Sequence, residues 1–257
     1  MQARNIQSKP NYGIDAPGLV RFFFIGGAVA LAIVFVTLFS SVLEPIPKIA
    51  VSTLLGIAAT YLLGMGCFML YGSRVMKLKD REKLLDLVQW SGNELVLDVG
   101  CGRGLMLVGA AKRLASGRAI GIDLWQQHDQ ADNSAAAAIS NAAIEGVATR
   151  VEVETADMRQ LPFPDNHFDV VVSSWAVHNL EAEADREKAL DEMIRVLKCN
   201  GTIVLADIIH QVEYARYFQH HGMTDVRLHN NPSRDFVLKA ISFGSFAPSA
   251  VSARKSR

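Results

Sequence analysis

The sequence carries no net charge: 26 Lys and Arg stand against 26 Asp and Glu. A neutral chain has no bulk electrostatic hold on a phosphate backbone, so nucleic acid is not an expected partner. Cysteine is scarce. Cys67, Cys101 and Cys199 are far apart and odd in number, which excludes both a disulfide framework and a zinc-ligand spacing. Thiols of that kind suit a reducing compartment. Charged residues make up only 20% of the chain and prolines number 8, which excludes a largely disordered protein. His128 and the His220-His221 pair have no ligand partners at useful spacing, so no metal is expected. What the sequence has in abundance is apolar residues, 50% of 257, enough for one full domain and something besides.

The apolar residues are concentrated. Residues 22–43 and 49–71 contain no charged side chain. About 20 apolar residues at about 1.5 Å each cross a bilayer, so each run predicts a transmembrane helix. The intervening Glu44-Pro45-Ile46-Pro47-Lys48 predicts a tight turn. A signal peptide fits poorly, because the first run is long and a second follows at once. Arg4, Lys9 and Arg21 lie in the arm of residues 1–21, and Arg74, Lys77, Lys79, Arg81 and Lys83 follow the second run. The positive-inside rule then places both termini and the rest of the chain in the cytoplasm, as a two-span membrane protein. Ser52, Gly56, Thr60 and Gly64 recur every four residues, with Gly26 and Ala30 as a small face on the first helix. That stripe suits packing within the pair or dimerisation equally. Residues 74–92 read as a basic juxtamembrane segment running into a helix.

From residue 93 onward, strands alternate with helices. Strands are expected at 94–99, 119–123, 150–154, 168–173 and 202–207, and helices at 104–115, 131–145, 184–197 and 212–220. Apolar strands alternating with helices imply an α/β, doubly wound, mostly parallel sheet of seven strands. Segments 224–228 and 235–240, joined at Asn230-Asn231-Pro232, read as a terminal antiparallel hairpin. The domain is expected to span 93–245, with a flexible basic tail at 246–257.

The first of these strands leads into Asp98-Val99-Gly100-Cys101-Gly102-Arg103-Gly104, and Asp123 ends the second. A glycine turn with a distal acid is a nucleoside-cofactor arrangement, the acid accepting from ribose hydroxyls. The register is Gly100-x-Gly102-x-Gly104, and Leu105 occupies the place where a dinucleotide site needs glycine. Asp98, two residues before the first glycine, favours a cationic ligand over a pyrophosphate. S-adenosylmethionine, with its ammonium and sulfonium and no phosphate, fits.

On these residues the chain from 93 to 243 resembles the class I S-adenosylmethionine-dependent methyltransferases, in the small-molecule group that includes quinone-ring methyltransferases. The resemblance is carried by Leu95 to Gly104, Gly121-Ile122-Asp123-Leu124, Asp157-Met158 with Leu161-Pro162-Phe163-Pro164-Asp165, Phe168 to Ser173, and Met193 to Lys198. It implies that Gly100, Cys101, Gly102 and Gly104 form the turn around the methionine end, with Asp98 assisting the ammonium. It further implies that Asp123 holds the ribose and that Leu124 or Trp125 lies against the adenine. Asp157 would accept from the adenine amino group, Met158 would pack beside it, and Ser173 or Ser174 would offer a backbone contact. Cys199-Asn200-Gly201 departs from the usual Pro-Gly-Gly turn, which Asn accommodates by its tolerance of left-handed angles.

Methyl transfer from an activated sulfonium needs mainly positioning, with a base for a phenol, amine or acidic carbon. His178, after the fourth strand, is the candidate catalytic residue, and Tyr12 on the arm is a candidate cover. Only residues 208–211 separate the fifth strand from the next helix, so a built-in lid there is minimal. The hairpin or the bilayer would then complete the acceptor side, and a quinone, isoprenoid or other lipid-like acceptor is expected. The alternatives are a water-soluble or protein acceptor, or a catalytically silent cofactor-binding membrane module.

Overall fold

The computed structural model describes residues 9–41, 44–126, 133–241 and 248–256. They divide into two compact units: Gly13–Lys77, and Leu78–Gln126 with Asn133–Arg257 and the arm up to Tyr12.

The first unit is a pair of helices, α1 (Pro17–Phe39) and α2 (Pro45–Tyr71). Both are long and apolar enough to cross a membrane, and in each apolar window only 11% of residues are buried, unlike the core helix of a globular domain. Each begins with proline at its first position, where no intrahelical N–H is lost. The expected turn is therefore shorter than 44–48: Pro45 and Pro47 already belong to the first turn of α2. Val42 and Leu43 lie outside the described residues. The seam also differs from the expected stripe. Ser52, Ala59 and Gly66 are the buried residues of α2, spaced by seven, and Val20, Gly27 and Ala30 those of α1. A Cβ on Gly27 would stand 2.6 Å from the Leu63 side chain, and one on Gly66 3.0 Å from the Phe24 ring. Gly56 and Gly64 have nothing within 4 Å and face away from the seam. A seven-residue repeat, not a four-residue one, keeps a face in register along a tilted helix pair.

In the second unit, the helix expected within residues 74–92 is α3 (Lys77–Leu85). The sheet runs β1 (Leu95–Val99), β2 (Arg118–Asp123), β3 (Val151–Thr155), β4 (Phe168–Ser174), β5 (Leu197–Asp207), β6 (Thr224–His229) and β7 (Ser249–Arg254), in spatial order 3-2-1-4-5-7-6. Strands β1 to β5 pair in parallel, and β7 is antiparallel to both β5 and β6. Helices α4 (Leu105–Ala111) and α5 (Ala135–Ile144) follow β1 and β2, α6 (Glu183–Val196) follows β4, and α7 (Gln211–His220) follows β5. One face of the sheet buries Leu107, Val96 and Val172, and the other buries Phe168, Met193, Tyr214 and Phe218, so both are covered as the apolar strands require. His128 and the start of the helix expected from 131 lie outside the described residues.

Two expectations are overturned. Residues 235–240 are not a strand but part of α8 (Pro232–Ile241). Asn231 caps it, its Oδ1 accepting from the Arg234 N–H at 3.0 Å, and Pro232 takes the first position. The antiparallel partner of β6 is instead β7, within the segment expected to be a flexible tail. Ala250, Val251 and Ala253 of β7 are buried between β5 and β6. The domain thus continues past residue 245, and Asn200, at φ 63°, supplies the left-handed turn expected of it.

Candidate functional site

The strand order reverses between β1 and β4, where successive crossovers go to opposite sides. Such a reversal opens a crevice beyond the carboxyl ends of the two strands. The segments after β1 and β4 meet there. The Gly100 and Cys101 N–H groups both donate to the Ile122 carbonyl at 2.9 Å, folding the chain sharply off β1. Gly100 has φ 72°, and a Cβ on it would stand 2.3 Å from the Ala176 Cβ, so only glycine fits between the two segments. Gly104, at φ 82°, caps α4 and directs it back against the sheet.

The turn is lined by acids. Asp98 is buried, accepts from the Leu107 N–H at 2.8 Å, and is pushed by burial to a pKa of about 8. It therefore holds a proton at neutral pH until a cation draws it off. Asp123 Oδ2 accepts from the Gly102 N–H at 2.9 Å, and Oδ1 from the Trp125 N–H at 2.6 Å and Asn133 Nδ2 at 3.2 Å. Asn133 Oδ1, beside that carboxylate, is buried with no hydrogen-bond partner among the described residues. Cys101 is buried and its thiol lies well above its ordinary range for the same reason. Leu124 is half exposed, and Trp125 is fixed by Nε1 to Thr155 Oγ1 at 2.7 Å.

Both oxygens of Asp157 are engaged by Arg159, with Nη2 to Oδ2 at 2.6 Å, and those hydrogen bonds hold the carboxyl below its ordinary range. Met158 reaches the turn, its Cε 3.6 Å from where a Gly100 Cβ would lie. Ser173 Oγ donates to the Val99 carbonyl at 2.7 Å, tying β4 to β1, while Ser174 ends β4 beside Ala206. Tyr12 does not cover the glycine turn: its hydroxyl donates to Glu145, and Arg81 lies alongside. Its neighbour Asn11 does reach the turn, its carbonyl accepting from Arg103 Nε at 2.8 Å.

His178 lies on a short turn after β4 and pairs through Nδ1 with Asp207, the last residue of β5. Asp207 is fully buried and also accepts from the Tyr214 hydroxyl at 3.3 Å. Sequence reasoning missed both partners. The available signal was a carboxylate ending an otherwise apolar strand. Three non-glycine residues just beyond strands of this edge, Trp125, Trp175 and His210, have φ of 58°, 57° and 68°. Such angles cost free energy and persist where surrounding structure enforces them, which functional edges often do.

Residues 97–205 match the family model described as a methyltransferase domain. Residues 97–205 are thus similar to a methyltransferase domain. The chain is 37% identical over 125 residues to a probable methyltransferase, ltbC, of Aspergillus luteorubrus, covering 48% of this chain and 43% of that protein. It is 30% identical over 128 residues to the ubiquinone/menaquinone biosynthesis C-methyltransferase UbiE of Geobacter sulfurreducens, covering 49% and 46%. The chain thus spans less than half the length of these relatives. The fold is shared with a geranyl diphosphate C-methyltransferase of Streptomyces coelicolor, at TM-score 0.56 and 16% identity over 71% of this chain and 80% of that one. The residues of the site suit S-adenosylmethionine: acids for an ammonium and a ribose, an unsatisfied buried amide oxygen, and no basic side chain on the turn except Arg103, which is turned to the arm.

Proposed function

We propose that the chain is a membrane-anchored S-adenosylmethionine-dependent methyltransferase acting on a small lipophilic acceptor. The observation that carries the reading is the acid-lined glycine turn, with Asp98 buried beneath it and Asp123 accepting from the Gly102 N–H, an arrangement for a cationic nucleoside ligand. When bound, the cofactor supplies a methyl group on a sulfonium. Gly100 and Gly102 would line its methionine end, Asp98 would meet the ammonium, Asp123 and Asn133 the ribose, and Leu124 and Met158 the adenine side. Cys101, Gly104, Asp157 and Ser174 would act through the shape of the turn and strand ends.

The lipophilic acceptor is supported by the same edge of the sheet. Ile209 and Val212 follow β5, and Phe236 and Val237 lie on α8, all exposed. Because Asp207 pairs with Ser249 and His229 with Ala250, the crossover of residues 230–248 leaves the sheet on the side where β5 ends. Helix α8 would then form part of the acceptor side. One relative is named as a ubiquinone/menaquinone biosynthesis C-methyltransferase, which supports an acceptor of that lipophilic class. The apolar pair α1 and α2 would anchor the enzyme where such molecules partition.

The test uses the full chain in vesicles, with methyl-labelled S-adenosylmethionine and a membrane lipid extract. Label in the organic phase is expected. Label on protein or in water-soluble product overturns the lipophilic acceptor, and cofactor binding without any transfer favours the silent module.

A further inference from the structure

We propose that His178 takes the proton of the methyl acceptor and that Asp207 fixes it in the tautomer able to do so; this rests on the methyltransferase reading above. The pair makes the acceptor one that has a proton to lose, such as a phenol, hydroquinone or enol.

The argument begins at Asp207. Its side chain is fully buried, and each oxygen takes two partners. Oδ1 meets His178 Nδ1 and the Ile208 N–H at 2.9 Å, and Oδ2 meets the His178 N–H at 3.0 Å and the Tyr214 hydroxyl at 3.3 Å. The backbone N–H groups can only donate, so the carboxylate is held as an acceptor, and His178 Nδ1 must carry the hydrogen it presents. Nε2 is then the unprotonated nitrogen, and it makes no hydrogen bond among the described residues. The ring is not sealed in: its side chain is 19% exposed while Asp207 is wholly enclosed. A partly exposed imidazole whose Nδ1 is clamped by a buried carboxylate is an arrangement that orients a proton acceptor.

The surroundings keep the pair's charge. Tyr214, on α7, is pushed up by burial and by Asp207, so it remains a neutral donor. His210 and Arg186 both pair with Glu213 and make no hydrogen bond to Asp207. The imidazolium formed on proton uptake would face the Asp207 carboxylate. The turn holding His178 directly follows β4, which pairs with β1, the strand that delivers the glycine turn. The acceptor X–H gives its proton to Nε2 as X bonds to the methyl carbon. The carbon–sulfur bond breaks with its pair kept on sulfur, and the positive charge passes to the imidazolium opposite Asp207. The proton leaves to water in the following step.

A tautomer measurement tests this without turnover. In the full chain, in detergent with ring-15N histidine, two-bond proton–nitrogen correlations should show His178 protonated at Nδ1 alone, its signals assigned by their loss in His178→Gln. Asp207→Asn should abolish that single tautomer. With the labelled donor and membrane lipid extract, His178→Gln should lower kcat at least about 100-fold with the cofactor Kd unchanged. Asp207→Asn should lower kcat more than about 10-fold and shift the acidic limb of the pH profile, whereas Tyr214→Phe should change kcat less than about 5-fold. An Nε2-protonated His178 in the wild-type chain overturns the proposal, as does a His178→Gln variant that keeps wild-type kcat. A wild-type chain that binds the donor and transfers no label overturns the enzyme reading and this role with it.

Discussion

The side-chain amide of Asn141 holds the main chain of Asn11 at both ends, its Oδ1 accepting from the Asn11 N–H at 2.8 Å and its Nδ2 donating to the Asn11 carbonyl at 2.9 Å. The same Nδ2 donates to the Arg103 carbonyl at 2.9 Å, so one buried amide ties the arm to the cofactor turn. Beside it, burial works against the Glu145 carboxylate, but Lys112, Tyr12 and Arg81 outweigh that and keep it below its ordinary range. The arm is therefore pinned by a neutral clamp and a charged one, both on α5 or its end.

Replacing Asn141 with Ala should lower stability by about 1–3 kcal/mol, since three hydrogen bonds are lost inside the domain. Cofactor affinity should fall as well, because the Arg103 carbonyl loses its support. Thermal unfolding and calorimetric titration with S-adenosylmethionine check both; unchanged affinity would confine Asn141 to holding the arm.

Asp98 makes cofactor binding pH-dependent. Its folded pKa of about 8 lies above the ordinary carboxyl value, so the folded domain binds the extra proton over that interval. Its share of stability is full below about pH 4 and is lost as pH rises toward the folded value. An ammonium reverses the preference, so binding near pH 7 should release close to one proton and strengthen as pH rises to 8. Calorimetry in buffers of different ionisation heat reads the release directly, and Asp98→Asn should abolish it.

The helix pair offers a contrast of two glycines. Gly27→Leu places a side chain where a Cβ alone would be 2.6 Å from Leu63, and should separate α1 from α2. Gly56→Leu meets open space and should leave the pair intact. Cysteine cross-linking across the seam in vesicles distinguishes them. Equal loss of cross-linking in both variants would contradict the seven-residue seam.

Val251→Asp should unfold the second unit. The side chain is wholly buried in β7 between two strands, and an unpaired carboxylate there costs more than about 3 kcal/mol. Loss of the circular dichroism signal of the sheet, or failure to refold, is the expected readout.

The parallel half of the sheet was legible because Val96-Leu97, Ile120-Gly121-Ile122 and Val170-Val171-Val172 leave no face for water, and the glycine turn marks where the chain leaves β1. The end of the sheet was not. Asn231-Pro232 is equally good as a turn and as a helix cap, and only the Arg234 N–H at 3.0 Å from Asn231 Oδ1 decides for the helix. Ser249-Ala250-Val251-Ser252-Ala253 reads as a polar tail, yet small side chains suit a strand enclosed on both edges. At the site, Gly100, Asp98 and Asp123 were visible because their spacing is local. Asp207 was not, because its meaning comes from His178, 29 positions away.

The place of β7 also fixes an order of assembly. Strands β3, β2, β1, β4 and β5 can hydrogen-bond to one another as soon as each is made, but β6 has no neighbour in the sheet other than β7. Until β7 inserts, β6 has no strand to pair with, although it comes earlier in the chain. The pairing of this edge of the sheet therefore waits for β7.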